Sequence, residues 1–318
     1  MHQTLTSTER VTTPERQALV VGEALIDLVP VDGTTRELPG GSPLNVAVAL
    51  SRLGRAVQLA TWLGPDARGQ ALQEHLAASG AVLVGKPAAP RTSTAQVSLD
   101  AHGQANYRFD LLWDFQPPPQ IDNLAVVHTG SLATVIAPGA GKVTQFFQTL
   151  ASLADAAPIL TFDPNLRPAL GGTAPETRAH VEELVAVADV VKASQEDLEC
   201  LYPGQDPGKA ARQWVDQGPA LVVLTQAEQG ALAFTRSMRI NVPVRPATVA
   251  DTVGAGDTFM AGLIDGLWQE GLIQVGGSAA LQDLNEAQLL RALDRAARAA
   301  AVTVSRPGAN PPWARELT

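Results

Sequence analysis

Short runs of β-branched and apolar residues recur along this chain, and nearly every one is followed by a stretch long enough for a helix. Leu19-Val20-Val21, Val57 to Trp62, Ala125-Val126-Val127, Ile159 to Phe162, Val190-Val191 and Leu221 to Leu224 are such runs. Most lack the polar alternation of half-exposed strands, which is the pattern of strands buried on both faces. Helical stretches at 44–53, 67–78, 139–154, 177–187, 195–201 and 207–217 separate them, with Gly54 and Gly80 as stop signals. This alternation predicts an α/β class protein with a doubly wound, mostly parallel sheet. At 318 residues, 45% of them hydrophobic, the chain can bury a large core.

Two stretches break the alternation. Leu28 to Val31, the turn pair Asp32-Gly33 and Arg36 to Leu38 read as one hairpin. Ala95 to Asp100 and Ala105 to Asp110, around His102-Gly103, read as a second, and Gln-Pro-Pro-Pro at 116–119 as a stiff return. Together they predict a small sheet outside the main layer, placed to cover a site.

A formal net charge of −9 excludes nucleic acid as the main partner, because phosphate-backbone binding needs clustered Lys and Arg. It leaves room for a small anion at a local site. Cys200 is the sole cysteine, so no intrachain disulfide forms and a reducing, cytoplasmic setting is expected; Cys200 itself reads as a small core residue on a helix. No apolar run reaches transmembrane length, so no membrane partner is expected. Residues 1–17 read as a flexible polar extension without the apolar segment of a secretory signal, leaving 18–318 as one domain.

The densest chemical signal is DTVGAGDTFMAG, residues 251–262. Gly254 and Gly256 permit a tight turn and close approach of a ligand to the main chain. The helix that follows carries Met260, Leu263, Ile264 and Leu267 on one face. Its first N–H groups lack intrahelical partners and form an anion site. Asp257 in that turn would stand beside a bound phosphate, which makes sense if it orients and deprotonates an attacking hydroxyl. Rival nucleotide motifs fail. A G-x-G-x-x-G would need glycine at Phe259. The stretch 139–144 mimics a P-loop, but Ile136 and Val143 occupy required positions, so Lys142 reads as a solvated helix residue.

With these residues in view, the chain from about Leu19 to Asn310 resembles the ribokinase-like (PfkB) carbohydrate kinases, and fructokinases most. DTVGAGD at 251–257 is similar to the family's anion-hole and base motif. PGGSPLNVAVALSRLG at 39–54 is similar to a second signature, with Gly40, Gly41 and Asn45 at sugar-contacting positions. GEALIDLVP at 22–30 resembles the first strand and its sugar-binding acid, here Asp27. FDPNLRP at 162–168 places Arg167 near the transferred phosphoryl group, and RPGANPP at 306–312 resembles the C-terminal turn. The resemblance implies a three-layer α/β/α domain with a β-sheet lid, formed by about 28–39 and 92–117. It also implies ATP and Mg²⁺.

Two positions depart from the family pattern. The N-x-x-E segment that acts on Mg²⁺ through water appears as Ser194-Gln195-Glu196-Asp197, which leaves Asp197 to serve it. The usual T-x-G-x-x-G phosphate stretch appears as Thr225 to Gly230 with Ala227 at the first glycine; Thr225 and Gly230 remain. The resemblance places adenine near the alanine-rich stretch Ala296, Ala297, Ala299, Ala300 and Ala301, a helix whose start is marked by Asn285 and Gln288. Some members hold K⁺ beside the anion hole; here Asp251, Val253, Val302 and Ser305 stand in its place.

The implied reaction is phosphorylation of a primary sugar hydroxyl, with Asp257 as base, the amides of Ala255, Gly256 and Asp257 holding phosphoryl charge, and Arg167 adding positive charge. Fructose ranks first as substrate. 2-Keto-3-deoxygluconate ranks second, because Arg108 on the lid could meet a carboxylate, although Phe109 beside it suits an apolar cover. Ribose or a nucleoside ranks third. A catalytically silent sugar- or nucleotide-binding regulator is the reading from another class. An exposed apolar lid face would let two subunits pair.

Overall fold

The computed structural model describes residues 16–31, 33–99, 105–118, 123–167, 170 and 174–317. The chain opens with β1 (Gln17–Val21), β2 (Leu25–Val31), β3 (Thr34–Gly40), α1 (Ser42–Arg52), β4 (Ala56–Ala60), α2 (Ala67–Ala78) and β5 (Val82–Val84). Next come β6 (Thr94–Leu99), β7 (Ala105–Asp110), β8 (Leu124–Gly130), α3 (Gly139–Ala151), β9 (Ile159–Asp163), α4 (Ala174–Val185), β10 (Val190–Ser194), α5 (Gln195–Leu201) and α6 (Pro207–Gln217). It closes with β11 (Leu221–Thr225), β12 (Ala231–Phe234), β13 (Arg239–Val242), α7 (Ala255–Gln269), α8 (Ser278–Gln282) and α9 (Glu286–Val304).

Nine strands form the main sheet in the order β13-β12-β11-β10-β9-β8-β1-β4-β5. All neighbouring pairs are parallel except β11–β12 and β12–β13. Strand residues alternate between two apolar layers. Ala18, Val20, Val190 and Val223 face α1, α2, α7 and α9; Leu19, Val21, Val191 and Val222 face α3 to α6. Both faces are covered, which is why these strands read as unbroken apolar runs. The sheet order reverses at β1, whose neighbours are β4 and β8. Crevices at such reversal points, outside the carboxyl ends of the strands, are where open α/β sheets bind ligands.

The small sheet is present, with four strands in the order β3-β2-β6-β7. It is not two isolated hairpins: β2 and β6 join them as parallel neighbours. Arg68 of α2 forks onto Glu37 of β3 at 2.6 Å, and Arg91 pairs with Asp110 at the end of β7. The expected hairpin loop at His102-Gly103 and residues 1–15 of the expected extension lie outside the described residues; Gln17 already belongs to β1. Cys200 is on α5 but only half-buried. Lys142 is engaged with Asp114 at 2.6 Å while keeping 41% of its side chain exposed. The hairpin β12–β13 was not anticipated, because four-residue strands carry too little period-2 pattern to stand out.

The helices α7 and α9 pack closely against each other in the core. A Cβ on Gly262 would lie 2.8 Å from Cα of Ala296, and one on Gly266 would lie 2.6 Å from Cα of Ala292. Glycine on one helix and alanine on the other let the backbones approach, and within the alanine-rich stretch Ala296 and Ala299 are taken up by this packing. Asp265, fully buried on α7, accepts from Arg55 at 2.6 Å and from Arg295 of α9. A buried carboxylate is tolerated only when paired in this way. Gly266→Ala gains about 1 kcal/mol of helix propensity but forces backbone apart, at a cost of about 1–3 kcal/mol. The expected outcome is a lowered denaturant midpoint with an unchanged m-value.

Candidate active site

The turn before α7 sits at the carboxyl edge of the sheet. Gly254, the residue preceding the helix, has φ 74°, a left-handed conformation that favours glycine. A side chain there would also strike Cβ of Ala309, at 2.6 Å, in the C-terminal turn. Asp251 ties these two turns together, accepting from the N–H of Val253 at 3.0 Å and of Gly308 at 2.8 Å. Val304 O receives the N–H groups of Ala250 and Asp251. The Ala255 amide, expected to face a ligand, donates instead to Thr252 O at 3.2 Å, because the turn closes before the helix begins. The amides of Gly256 and Asp257 meet no protein acceptor among the described residues. They are the open donors at this helix start.

Asp257 is almost fully buried, and side chains from two other elements hold its carboxylate. Ser42 Oγ donates to Oδ1 at 2.6 Å, and Asn45 Nδ2 donates to Oδ2 at 2.8 Å. Both come from α1, where residues three apart share a face. Asn165 Nδ2, from the loop after β9, reaches Oδ1 at 3.3 Å. Asn45 therefore points at the acid of α7, where a sugar contact was expected. The two glycines before α1 are required by close approach. A Cβ on Gly40 would lie 2.1 Å from Oδ2 of Asp27, and one on Gly41, at φ 105°, would lie 2.7 Å from Glu23 O.

Asp27, matched by resemblance to the first strand, is the third residue of β2, within the small sheet. It pairs across to Leu38 and to Ala95, and Ala95 in turn to Phe109. Side-by-side strand residues share a face, so Asp27 and Phe109 line the same one. Phe109 packs there against Leu25, Ala95 and Leu132. Arg108 belongs to the next row, with Gln96, Leu28 and Glu37, and so lies on the opposite face. The sequence grouped Arg108 with Phe109; the period of two separates them. Burial pushes the Asp27 carboxyl up to about 6, against the pull of Arg167.

Arg167 is exposed and folds back on its own loop, with Nη1 donating to Asn165 Oδ1 at 2.6 Å, Asn165 O at 3.0 Å and Leu166 O at 2.9 Å. Asp197 receives the N–H of Leu166 at 2.7 Å on Oδ1 and both the N–H and Oγ of Ser194 at 2.8 Å on Oδ2. It completes a capping box at the start of α5 and pins the Arg167 loop. A carboxylate so filled does not fit a direct metal ligand. Among the described residues no group of three or more His, Cys, Asp or Glu could hold a metal.

Thr225 Oγ1 donates to Ala193 O at 3.4 Å. The turn after it places Ala227 at φ 45° and Gly230 at φ 90°; a side chain on Gly230 would meet Val242 O at 2.1 Å.

Four groups escaped the sequence reading, three of them buried and Asn165 half-buried. Ser42 stands three residues before Asn45, and Asn165 sits inside DPNLR, so each had a motif to mark it. Lys192, in an apolar strand, pairs with Asp163 at 2.7 Å, and its Nζ lies 3.2 Å from where a Cβ on Gly256 would be. Burial alone would lower the Lys192 ammonium; Asp163 beside it, with Asp197 and Asp257 farther off, raises it. The last, Glu23, accepts from Ala133 N at 2.9 Å and is pushed up to about 7 by burial.

Ala227 carries a left-handed backbone at a cost of about 1 kcal/mol. Ala227→Gly should therefore stabilise the fold by a similar amount, read as a melting midpoint higher by roughly 2 °C.

The comparisons agree with this geometry. Residues 15–315 match the model of the pfkB family carbohydrate kinases. A fructokinase from Klebsiella pneumoniae is 34% identical over 292 residues, covering 88% of this chain and 94% of the relative. A fructokinase from Xylella fastidiosa solved with bound ATP superposes with TM-score 0.80 at 29% identity, over 95% of this chain and 96% of that one. A fructokinase double mutant from Vibrio cholerae O395, in a fructose-, ADP- and potassium-bound form, gives TM-score 0.77 at 28% identity, over 92% and 94%. Sheet order, turn, acid and family model converge: the chain belongs to the pfkB family of carbohydrate kinases.

Proposed function

We propose that this enzyme, an ATP-dependent carbohydrate kinase, transfers the γ-phosphoryl group of ATP to the primary hydroxyl of fructose, giving fructose 6-phosphate. The observation that carries this reading is one buried carboxylate, Asp257, set beside two open amides at a helix start and gripped by the segment that bears Gly40 and Gly41. The names of the relatives support fructose. The place of Arg108, across the small sheet from Asp27 and Phe109, removes the argument for a carboxylate-bearing sugar.

In this reading Asp27 accepts hydrogen bonds from sugar hydroxyls, and Phe109 covers the ring from the same face. Asp257 orients the reacting hydroxyl and accepts its proton as the oxygen–phosphorus bond forms and the bond to the bridging oxygen of ADP breaks. The amides of Gly256 and Asp257 hold the charge on the phosphoryl oxygens, and the Lys192 ammonium lies beneath the same turn. Arg167 is near enough to Asp27 and Glu23 to affect both, and unfolding from its loop would bring its charge to the phosphoryl group. The small sheet excludes water, which competes with the sugar as acceptor. Mg²⁺, carried by phosphates and water as is usual for this ion, supplies further positive charge when bound.

Release of ADP against a panel of fructose, 2-keto-3-deoxygluconate and ribose, compared by kcat/KM, tests the substrate. Fructose should lead. Sugar binding without ADP release from any member would replace the kinase with a binding regulator.

Asp257→Ala should lower kcat by about 10³-fold or more while sugar KM changes little, since the base acts in the transition state. Near-normal turnover in that variant would remove Asp257 as base. The pH dependence follows from Asp27. Above about 6 it is a carboxylate able to accept two hydroxyls; below, it takes up a proton and loses acceptor capacity. Sugar kcat/KM should rise with pH through that value, and Asp27→Asn should flatten the limb.

A further inference from the structure

The loop Asp163 to Arg167 is pinned at successive residues. Asp163 is locked to Lys192 at 2.7 Å in the interior. Pro164 fixes its own φ, and its carbonyl receives Ser131 N at 3.2 Å. Leu166 N is held by Asp197 at 2.7 Å. Asn165, between these anchors, has φ 38°, in the left-handed region that asparagine tolerates better than most residues. With both neighbours fixed, this backbone turns the Asn165 amide toward α7.

That amide then makes two bonds of opposite sense. Its Nδ2 donates to Asp257 Oδ1 at 3.3 Å, and its Oδ1 accepts from Arg167 Nη1 at 2.6 Å. Only one orientation of the amide works. Reversed, it would set oxygen against carboxylate and NH₂ against guanidinium. A carboxylate in its place would repel Asp257, and a hydroxyl would be too short to span both. Among the described residues, Asn165 is thus the one side chain hydrogen-bonded to both the proposed base and the proposed phosphoryl-binding arginine.

We propose that Asn165 is a positioning residue that couples Asp257 to Arg167, so that base and arginine take up their places together. The proposal rests on the kinase reading above. The 3.3 Å bond is the longest of the contacts that hold Asp257, against 2.6 Å and 2.8 Å from α1. It is therefore the one a sugar hydroxyl most readily displaces on seating against Oδ1. Displacement frees the amide from one partner and loosens the arginine on the other.

The test is a double-mutant cycle on fructose-dependent ADP release. Asn165→Gly removes the amide without left-handed strain. Asn165→Asp keeps the acceptor for Arg167 but loses the donor to Asp257. Each is measured with and without Arg167→Ala, with melting midpoints as the check on folding. The expected result for Asn165→Gly is a kcat about tenfold lower at nearly constant sugar KM, with the loss from Arg167→Ala shrinking at least about threefold in that background. Asn165→Asp should lower kcat, because its carboxylate repels Asp257 and the donor to Oδ1 is gone.

Equal Arg167→Ala losses in wild type and Asn165→Gly, or a kcat for Asn165→Gly within about twofold of wild type, overturns the proposal. If the glycine variant does not fold, a kcat for Asn165→Asp within about twofold of wild type overturns it instead. Absence of ADP release by wild type with every sugar overturns the kinase reading and the coupling with it; wild-type turnover with an unchanged cycle overturns the coupling alone.

Discussion

A carboxylate at the head of a buried helix is costly unless donors surround it. Asp257 has them from two directions: Ser42 and Asn45 on α1, and Asn165 on the loop after β9. These contacts join three separate stretches of sequence at one point, and the rest of the site is arranged around that point. α1 cannot bring Ser42 and Asn45 there unless its preceding backbone passes tightly over Glu23 and Asp27, which fixes Gly40 and Gly41. The small sheet starts in the same residues, so the acid on α7 and the sheet that would cover a sugar are mechanically connected through a few peptide units.

The depth at which α7 is set depends on its partner helix. Glycines at 262 and 266 against alanines at 292 and 296 bring the two backbones close, and Asp265 bound to Arg55 and Arg295 fixes their relative slide. The turn ahead of α7 is buttressed from behind by the C-terminal segment, where Ala309 leaves no room for a side chain at 254 and Asp251 clasps Gly308. Beneath it, Lys192 and Asp163 form a buried pair whose positive end faces the turn. Breaking such a pair by removing one partner leaves an uncompensated charge, at a cost of about 3–5 kcal/mol. The geometry of the amides is thus supported on three sides by interactions that have little to do with ligand contact.

Much of this was legible in the sequence. Unalternating apolar runs gave the buried parallel strands because both faces are covered, and the glycine turn with its acid marked the site. What escaped depended on tertiary closure. That Arg108 and Phe109 part company follows from strand period, but only once the register of β7 against β6 and β2 is known. Asp27 could be assigned to a motif without revealing that its strand had left the main sheet. Ser42 and Asn165 lay within recognised motifs, yet their target on α7 is more than ninety residues from either; sequence shows the donors and not the acceptor. The alanines of α9 illustrate the reverse: two of those that suggested a ligand surface, Ala296 and Ala299, are buried against Gly262 of the facing helix.

The most direct measurement is a crystal structure with fructose and a non-hydrolysable ATP analogue. The account predicts the primary hydroxyl within about 2.6–3.2 Å of the Asp257 carboxylate, terminal phosphoryl oxygens on the amides of Gly256 and Asp257, and the sugar between Asp27 and the small sheet. A sugar bound elsewhere, with Asp257 still enclosed by Ser42, Asn45 and Asn165 and facing neither ligand, would contradict it.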